Sequence, residues 1–172
     1  MRAIGIILAG GNNRRMGELS RNSHIQKVAV LTQYNASSLN EHLSSSKWWD
    51  FGRKQGGLYT FTPVVTAQNS NWYRGTADAI YQNLAFLKSS HEPYVVIASG
   101  DGVYKLDFNK MLAFHIERKA DITVACREME EDSNLERFGT VRMNEESRIE
   151  EFEEKPLRAK SNVISCGIYI LR

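Results

Sequence analysis

The stretch Ala3–Ala9, AIGIILA, is apolar or glycine at every position and runs straight into a glycine pair, Gly10-Gly11. Unbroken apolarity, with no alternation, is what a strand covered on both faces requires. A strand of that kind belongs to a mostly parallel sheet, and it needs helices to cover it. Three further runs have the same character: Lys27–Thr32 (KVAVLT), Tyr94–Ala98 (YVVIA) and Asp121–Cys126 (DITVAC). Helical spacing falls between them. Ala36–Leu43 sets Ala36, Leu39, Asn40 and Leu43 on one face. Thr76–Leu87 does the same with Ala79, Ile80, Asn83, Leu84 and Leu87. Asp107–Arg118 reads as a helix capped by Asp107. The tail reads as short strands at Thr140–Met143, Arg148–Phe152 and Val163–Leu171. Strand and helix alternate over the first two-thirds. The expected fold is therefore α/β, a mostly parallel mixed sheet with helices on both faces.

The first connection does not fit this pattern. Parallel neighbours need a crossover of about a dozen residues or more, usually with a helix. The segment GGNNRRMGELSRNSHI offers only Met16, Leu19 and Ile25 as large apolar residues, too few for a helix that packs on a sheet. Either the first two strands are not a simple crossover pair, or residues are missing near Arg21–Ser23. Ordinary peptide geometry at Arg21–Asn22 and Asn22–Ser23 would refute the second option. The apolar strand Val163–Leu171 stops at Arg172 with no closing element, so the chain is expected to be part of something longer.

Composition narrows the classes. At 172 residues, 42% apolar and 24% charged, the chain suits one globular domain. A net charge of +2, with basic residues scattered apart from Arg14-Arg15, argues against nucleic acid. Two cysteines, Cys126 and Cys166, without a Cys-x-x-Cys pattern, suggest neither a disulfide framework nor a zinc site. No apolar run is long enough to span a bilayer, and a soluble cytoplasmic protein is expected.

Four short motifs carry the chemistry. After the first strand, Gly10 and Gly11 allow close backbone approach and expose N–H groups to an anion, while Arg14 and Arg15 add forked donors suited to phosphate. A polyphosphate fits this loop, and so does a tight turn with solvated arginines. The loop is neither G-x-x-x-x-G-K-[ST] nor G-x-G-x-x-G. In SGDGVYKLD, Asp101 follows a buried strand and can hold Mg²⁺ beside phosphate, or serve as a turn residue bonded to its own backbone. In WYRGTADAI, Gly75 and Thr76 open a helix, either against a flat base or simply as a capped start with Thr76 as the cap. In EFEEKP, Lys155 is a compact charge suited to a sugar phosphate, or one more charge at a strand end. The four histidines do not cluster, and His115 is expected at a surface or boundary. No Ser/His/Asp or Cys/His arrangement supports a covalent intermediate.

Taken in order, LAGGNNRRM, LTQYNASSLNEHL, WWDF, WYRGTADAIYQN, SGDGVYKLD, RFGTV, EFEEKP and SCGIYIL resemble the sugar-1-phosphate nucleotidylyltransferases, and within them the bacterial glucose-1-phosphate adenylyltransferase family. The resemblance implies a Rossmann-like nucleotidyltransferase domain over 1–172, followed in the family by a β-helix domain absent from this chain. It also implies a longer stretch between the Gly loop and SHIQKVAVLTQY. It implies adenylyl transfer from ATP to α-D-glucose 1-phosphate, giving ADP-glucose and pyrophosphate for glycogen synthesis, with Mg²⁺ and a homo- or hetero-tetrameric assembly. By the family pattern, Gly10, Gly11 and Arg15 hold the ATP phosphates, and Gln33, Gly75 and Thr76 lie near the adenine. Asp101 binds Mg²⁺, and Gly139, Glu154, Lys155 and Ser165 surround glucose 1-phosphate. Arg15, Asp101 and Lys155 are thus the expected catalytic set, converging on a shared anionic pocket. Asn13 and Gly102-Val103 depart from the family pattern, and the family's second metal-binding Asp would lie beyond Arg172. Two alternatives remain open on these grounds: a non-catalytic regulatory subunit of the same complex, and a related transferase using another nucleotide.

Overall fold

The computed structural model of the chain describes residues 2–9, 25–33, 36–44, 57–63, 72–102, 105–130 and 134–172. The described elements in chain order are β1 (Ala3–Ala9), β2 (Ile25–Thr32), α1 (Ala36–Leu43), β3 (Gly57–Phe61), α2 (Thr76–Gln82), α3 (Leu84–Ser90), β4 (Tyr94–Ser99), α4 (Phe108–Glu117), β5 (Ile122–Glu128), β6 (Gly139–Met143), β7 (Ile149–Glu154) and β8 (Val163–Leu171). A short 3-10 turn, Leu135–Arg137, precedes β6. The chain divides into two compact units, residues 1–123 with 169–172, and residues 124–168.

The first unit is built on β1. It pairs in parallel with β2 from Ala3↔Ile25 to Ala9↔Thr32, and with β4 from Ala3↔Tyr94 to Leu8↔Ser99. β3 adds outside β2 from Lys27↔Gly57 to Leu31↔Phe61, also in parallel. The sheet order is β3-β2-β1-β4-β8 here and β8-β6-β7 in the second unit, with β5 paired to β8. The mixed, mostly parallel sheet expected from the apolar runs is thus present.

Helices cover both faces of the parallel part. Ile6, Ala29, Leu31 and Ile97 are buried with Ala79 of α2, and Ile80, Phe86, Leu87, Tyr73 and Val95 pack around them. Tyr94, one residue from Val95 and therefore on the opposite face, meets the ring of His115 of α4 edge-on at 5.5 Å. Ile4, Val28 and Val30 have no exposed surface, and each fully buried aliphatic side chain of this kind contributes about 1.5–3 kcal/mol. Asp107 caps α4 as the sequence indicates, its carboxylate accepting from the N–H groups of Asn109 (3.0 Å) and Lys110 (3.3 Å).

The structure departs from the sequence reading in four places. β1 and β2 are direct parallel neighbours, so the option that they are not a crossover pair is removed. The suspected discontinuity at Arg21–Ser23 lies outside the described residues. His115 is only 1% exposed, not at a surface. Its Nδ1 lies 2.8 Å from Thr123 Oγ1 and its Nε2 has no partner among the described residues. Burial is the main reason its pKa is lowered from 6.5, with Arg172 adding to the effect and Asp121 opposing it. The Thr76–Leu87 helix breaks at Asn83. There the side chain reaches back to Ala79 O (2.8 Å) and Tyr73 Oη (3.1 Å), replacing helical continuity with its own bonds. Finally, β3 was not recognised in the sequence. Its GLYTF pattern is short, and among the described strands it pairs only with β2.

Candidate active site

Residues of the first unit gather at the carboxyl ends of its parallel strands, where open α/β sheets place ligands. β4 ends at Ser99, and the chain is then drawn across the end of β1: Gly100 N donates to Leu8 O at 2.9 Å. A Cβ at Gly100 would lie 3.1 Å from Leu8 O and 3.5 Å from Ala9 Cα, so the approach depends on glycine. This contact sets Asp101 beside the end of β1, exposed, with Ser99 Oγ donating to Oδ1 of its carboxylate. Ser99 was not among the residues singled out from the sequence, although it directly precedes the Gly-Asp.

β2 ends at Thr32, and Gln33 follows. Gln33 Oε1 and Thr32 Oγ1 are buried and have no partner among the described residues. Two unpaired buried polar atoms at one strand end are costly, about 1–3 kcal/mol each, unless something else meets them. Gln33 was legible from the family pattern; Thr32 reads in sequence only as the end of a β-rich run.

α2 begins at Thr76 with Gly75 as its N-cap, and no side chain of Gly75 or Thr76 caps it. Asp78, in the first turn, accepts instead from Arg74 N, ahead of the helix, and from Gln82 Nε2, both at 2.9 Å. The reading of Thr76 as a cap is therefore replaced. Gly75 is extended, and a Cβ there would meet nothing within 4 Å among the described residues.

In the second unit the four residues expected around a sugar phosphate do come together. Gly139 of β6 pairs with Glu154 of β7. Lys155, directly after β7, donates its N–H to Phe138 O at 3.1 Å. Its φ of 47° is left-handed, which turns the chain ahead of Pro156. Lys155 Nζ lies 4.0 Å from Glu154 Oε1, and both side chains are exposed. Thr140 pairs with Ile164, which sets Gly139 and Ser165 next to the same bridge. Ser165 Oγ accepts from Gly167 N at 3.3 Å, where Gly167 turns left-handed at φ 69°.

The other glutamates of β7 are occupied. Arg142 bonds Glu150 at 2.9 Å and Glu151 at 3.2 Å, and Lys160 bonds Glu151 and, at 2.9 Å, Glu153. Lys160 is pushed up to about 12, first by its hydrogen bond to Glu151 and then by the one to Glu153. Glu151 is lowered in turn, chiefly by Lys160 and then by Arg142.

Gly10, Gly11 and Arg15 lie outside the described residues. Asp101 belongs to the first unit and Lys155 to the second. Among the described residues no group of three or more His, Cys, Asp or Glu side chains is placed to hold a metal ion, and no helix is long and apolar enough to cross a membrane. Cys126 and Cys166 are half-buried thiols rather than a disulfide, and burial raises both.

The chain belongs to the nucleotidyl transferase family, whose model matches residues 17–172. Among curated proteins it is 40% identical over 193 residues to the glucose-1-phosphate adenylyltransferase of Clostridium kluyveri, covering 98% of this chain and 50% of that protein. It is 40% identical over 191 residues to the protein of the same name from Clostridioides difficile (97% and 49%). The Lachnospira eligens protein of that name is 42% identical over 193 residues (97% and 45%). The chain therefore spans about half the length of the curated relatives it matches. The first match runs over 193 positions against the 172 residues of this chain, so that relative carries at least 21 extra positions inside it.

Proposed function

We propose that the protein transfers an adenylyl group from ATP to α-D-glucose 1-phosphate, giving ADP-glucose and pyrophosphate for glycogen synthesis. The observation that carries this reading is the roughly 40% identity, sustained over nearly the whole chain, to proteins bearing that activity in their names. The site geometry fits it. The sugar-phosphate oxygen attacks the α-phosphorus in line and pyrophosphate leaves, so catalysis rests on positioning and charge neutralisation.

Each residue then has a part. The loop of Gly10, Gly11 and Arg15 holds the departing phosphates. Gln33, with its unpaired buried Oε1, accepts from the adenine amino group. Gly75, beside Thr76, leaves room for the flat base on the side a Cβ would occupy. Asp101 presents a carboxylate whose second oxygen is not engaged by Ser99, a hard donor suited to Mg²⁺ that keeps waters and phosphate oxygens as its other ligands. When bound, that ion supplies charge neutralisation and a template for the phosphates. Lys155 holds the phosphate of the nucleophile. Gly139, Glu154 and Ser165 shape the sugar side. A cytoplasmic location and a tetrameric assembly belong to the same proposal.

The test is pyrophosphate release by the purified full chain from glucose 1-phosphate with ATP, UTP or dTTP. Release with ATP well above the others is expected. Preference for UTP or dTTP would reassign the nucleotide. No release alone, with altered kinetics of an added catalytic partner, would make the protein a regulatory subunit, a second reading motivated by Asn13 in the phosphate loop.

A further inference from the structure

No proline or glycine interrupts the helical spacing of Thr76–Leu87, yet α2 ends at Gln82 and α3 starts at Leu84. Asn83 stands between them with φ −105° and ψ 16°. In an unbroken helix its backbone N–H would bond Ala79 O, four residues back. Here that N–H bonds Ile80 O at 3.1 Å, three residues back, and the side-chain nitrogen of Asn83 takes Ala79 O at 2.8 Å. The side chain thus replaces the bond that its own backbone has given up. A carbonyl can only accept, so the atom facing Ala79 O is the amide nitrogen, which carries two hydrogens. The second hydrogen serves Tyr73 Oη, 3.1 Å away and ten residues earlier in the chain.

Tyr73 opens the stretch Tyr73–Gly75 that leads into α2, and each residue of that stretch is fastened to the helix. Asn83 holds the Tyr73 hydroxyl, and the Asp78 carboxylate accepts from Arg74 N at 2.9 Å. Gly75 O accepts the first bond of α2, from Ala79 N at 3.0 Å. The Tyr73 ring packs on the cluster around Ala79, whereas Arg74 and Gly75 stay exposed. Exposed backbone gains little from burial, so the ties on it fix a surface rather than complete a core. That surface ends at the extended Gly75, the residue placed beside the base. A surface shaped before its ligand arrives loses less freedom when it binds.

We propose that Asn83 is a positioning residue: through Tyr73 it holds the Tyr73–Gly75 stretch in the shape that receives the nucleotide base. This rests on the reading of Gly75 given above. Asn83 acts through Tyr73 and not on the reacting atoms, so its effect is on capture of the nucleotide and not on the transfer step.

The experiment measures, in the full chain, kcat, KM for ATP and for glucose 1-phosphate, the ATP affinity by titration calorimetry, and the thermal midpoint. Asn83→Ala is expected to weaken ATP about fivefold in both KM and Kd, the worth of roughly one net hydrogen bond. The glucose 1-phosphate KM and kcat change by less than about twofold, as loss of nucleotide binding alone requires. The thermal midpoint holds or rises, because alanine is the better helix former and lets α2 and α3 run on. Tyr73→Phe removes only the hydroxyl and reproduces the ATP defect. The double variant is worse than Asn83→Ala by less than about twofold, since both changes delete the same bond. A matching rise in the glucose 1-phosphate KM, or ATP defects that multiply in the double variant, overturns the proposal. A lower thermal midpoint with unchanged ATP affinity makes Asn83 a structural residue only and overturns it too. If Asn83→Ala does not fold, Tyr73→Phe decides alone, and unchanged ATP affinity there overturns the proposal. Wild-type protein that binds no nucleoside triphosphate overturns the nucleotide reading and this inference with it. Wild-type protein that binds ATP no better than Asn83→Ala overturns only the inference.

Discussion

On the proposed function, the strand ends of the first unit and the β6–β7 corner of the second hold polar groups for an anionic guest by opposite means. In the first unit position comes from the backbone. Gly100 is drawn onto Leu8 O, and Gln33 follows a strand whose last residue is 1% exposed. In the second unit position comes from side chains on an exposed ladder, where Arg142 and Lys160 tie up three glutamates and Lys155 lies 4.0 Å from the fourth. The difference predicts what substitutions do. Changes in the first unit act through the fold as well as the chemistry, whereas removing a charge from the exposed ladder of the second acts mainly through local charge.

The largest expected effect tests the first half of that contrast. Asp101→Asn is expected to lower turnover by about two to three orders of magnitude, as loss of a metal-holding carboxylate should. A loss below about tenfold, only about 1.4 kcal/mol of barrier, would remove Asp101 from the metal role. Lys155→Ala is expected to weaken glucose 1-phosphate by about tenfold or more, with its charge-assisted contact gone, while the thermal midpoint stays put. An unaltered KM would take Lys155 out of the site. Gly100→Ala places a methyl 3.1 Å from a carbonyl oxygen that cannot move aside. It should cost about 1–3 kcal/mol of stability and reduce turnover together, and a drop in only one of the two would separate the loop from the fold.

His115 gives a subtler measurement. Its folded-state pKa lies below the ordinary 6.5, so the unfolded chain binds the proton more tightly. Stability contributed by the neutral ring is present above about pH 6.5 and is lost as the pH falls below that value toward the depressed native one. Urea unfolding of wild type at pH 7.5 and 5.5 should show this loss, and His115→Gln should flatten the slope while being less stable at pH 7.5. An equal slope in both would place the titration elsewhere. The smallest effect is the sharpest control on the second unit. Lys160→Ala should leave the KM for glucose 1-phosphate unchanged, because its ammonium is already engaged by Glu151 and Glu153. A rise comparable to that of Lys155→Ala would mean that the two lysines are not distinguished as described.

Much of the fold was legible because it rests on local signals. β1, β2, β4 and β5 are each built on an apolar run, and Asp107 announces α4. What escaped the sequence depends on contacts between distant residues. His115 looked peripheral because its burial is decided by Tyr94 and Thr123, which come from two other strands. The helix break comes with Asn83 bonding both Ala79 O and the distant Tyr73 hydroxyl, which spacing cannot reveal. The site divides the same way. Gly139, Glu154, Lys155 and Ser165 stand in motifs that resemble the family pattern, and the ladder brings them to one corner. Ser99 was passed over, since its bond to the Asp101 carboxylate is a matter of how the turn is made and not of spacing.

The left-handed backbone at Lys155 places two demands on one position. Glycine or asparagine would accept that geometry at less conformational expense than lysine does. A selection for heat resistance alone should therefore drift toward Gly or Asn at 155, gaining melting temperature while giving up affinity for the sugar substrate. On the role proposed for Lys155, thermostability and substrate affinity are opposed at this residue, and a library randomised there should display the trade directly.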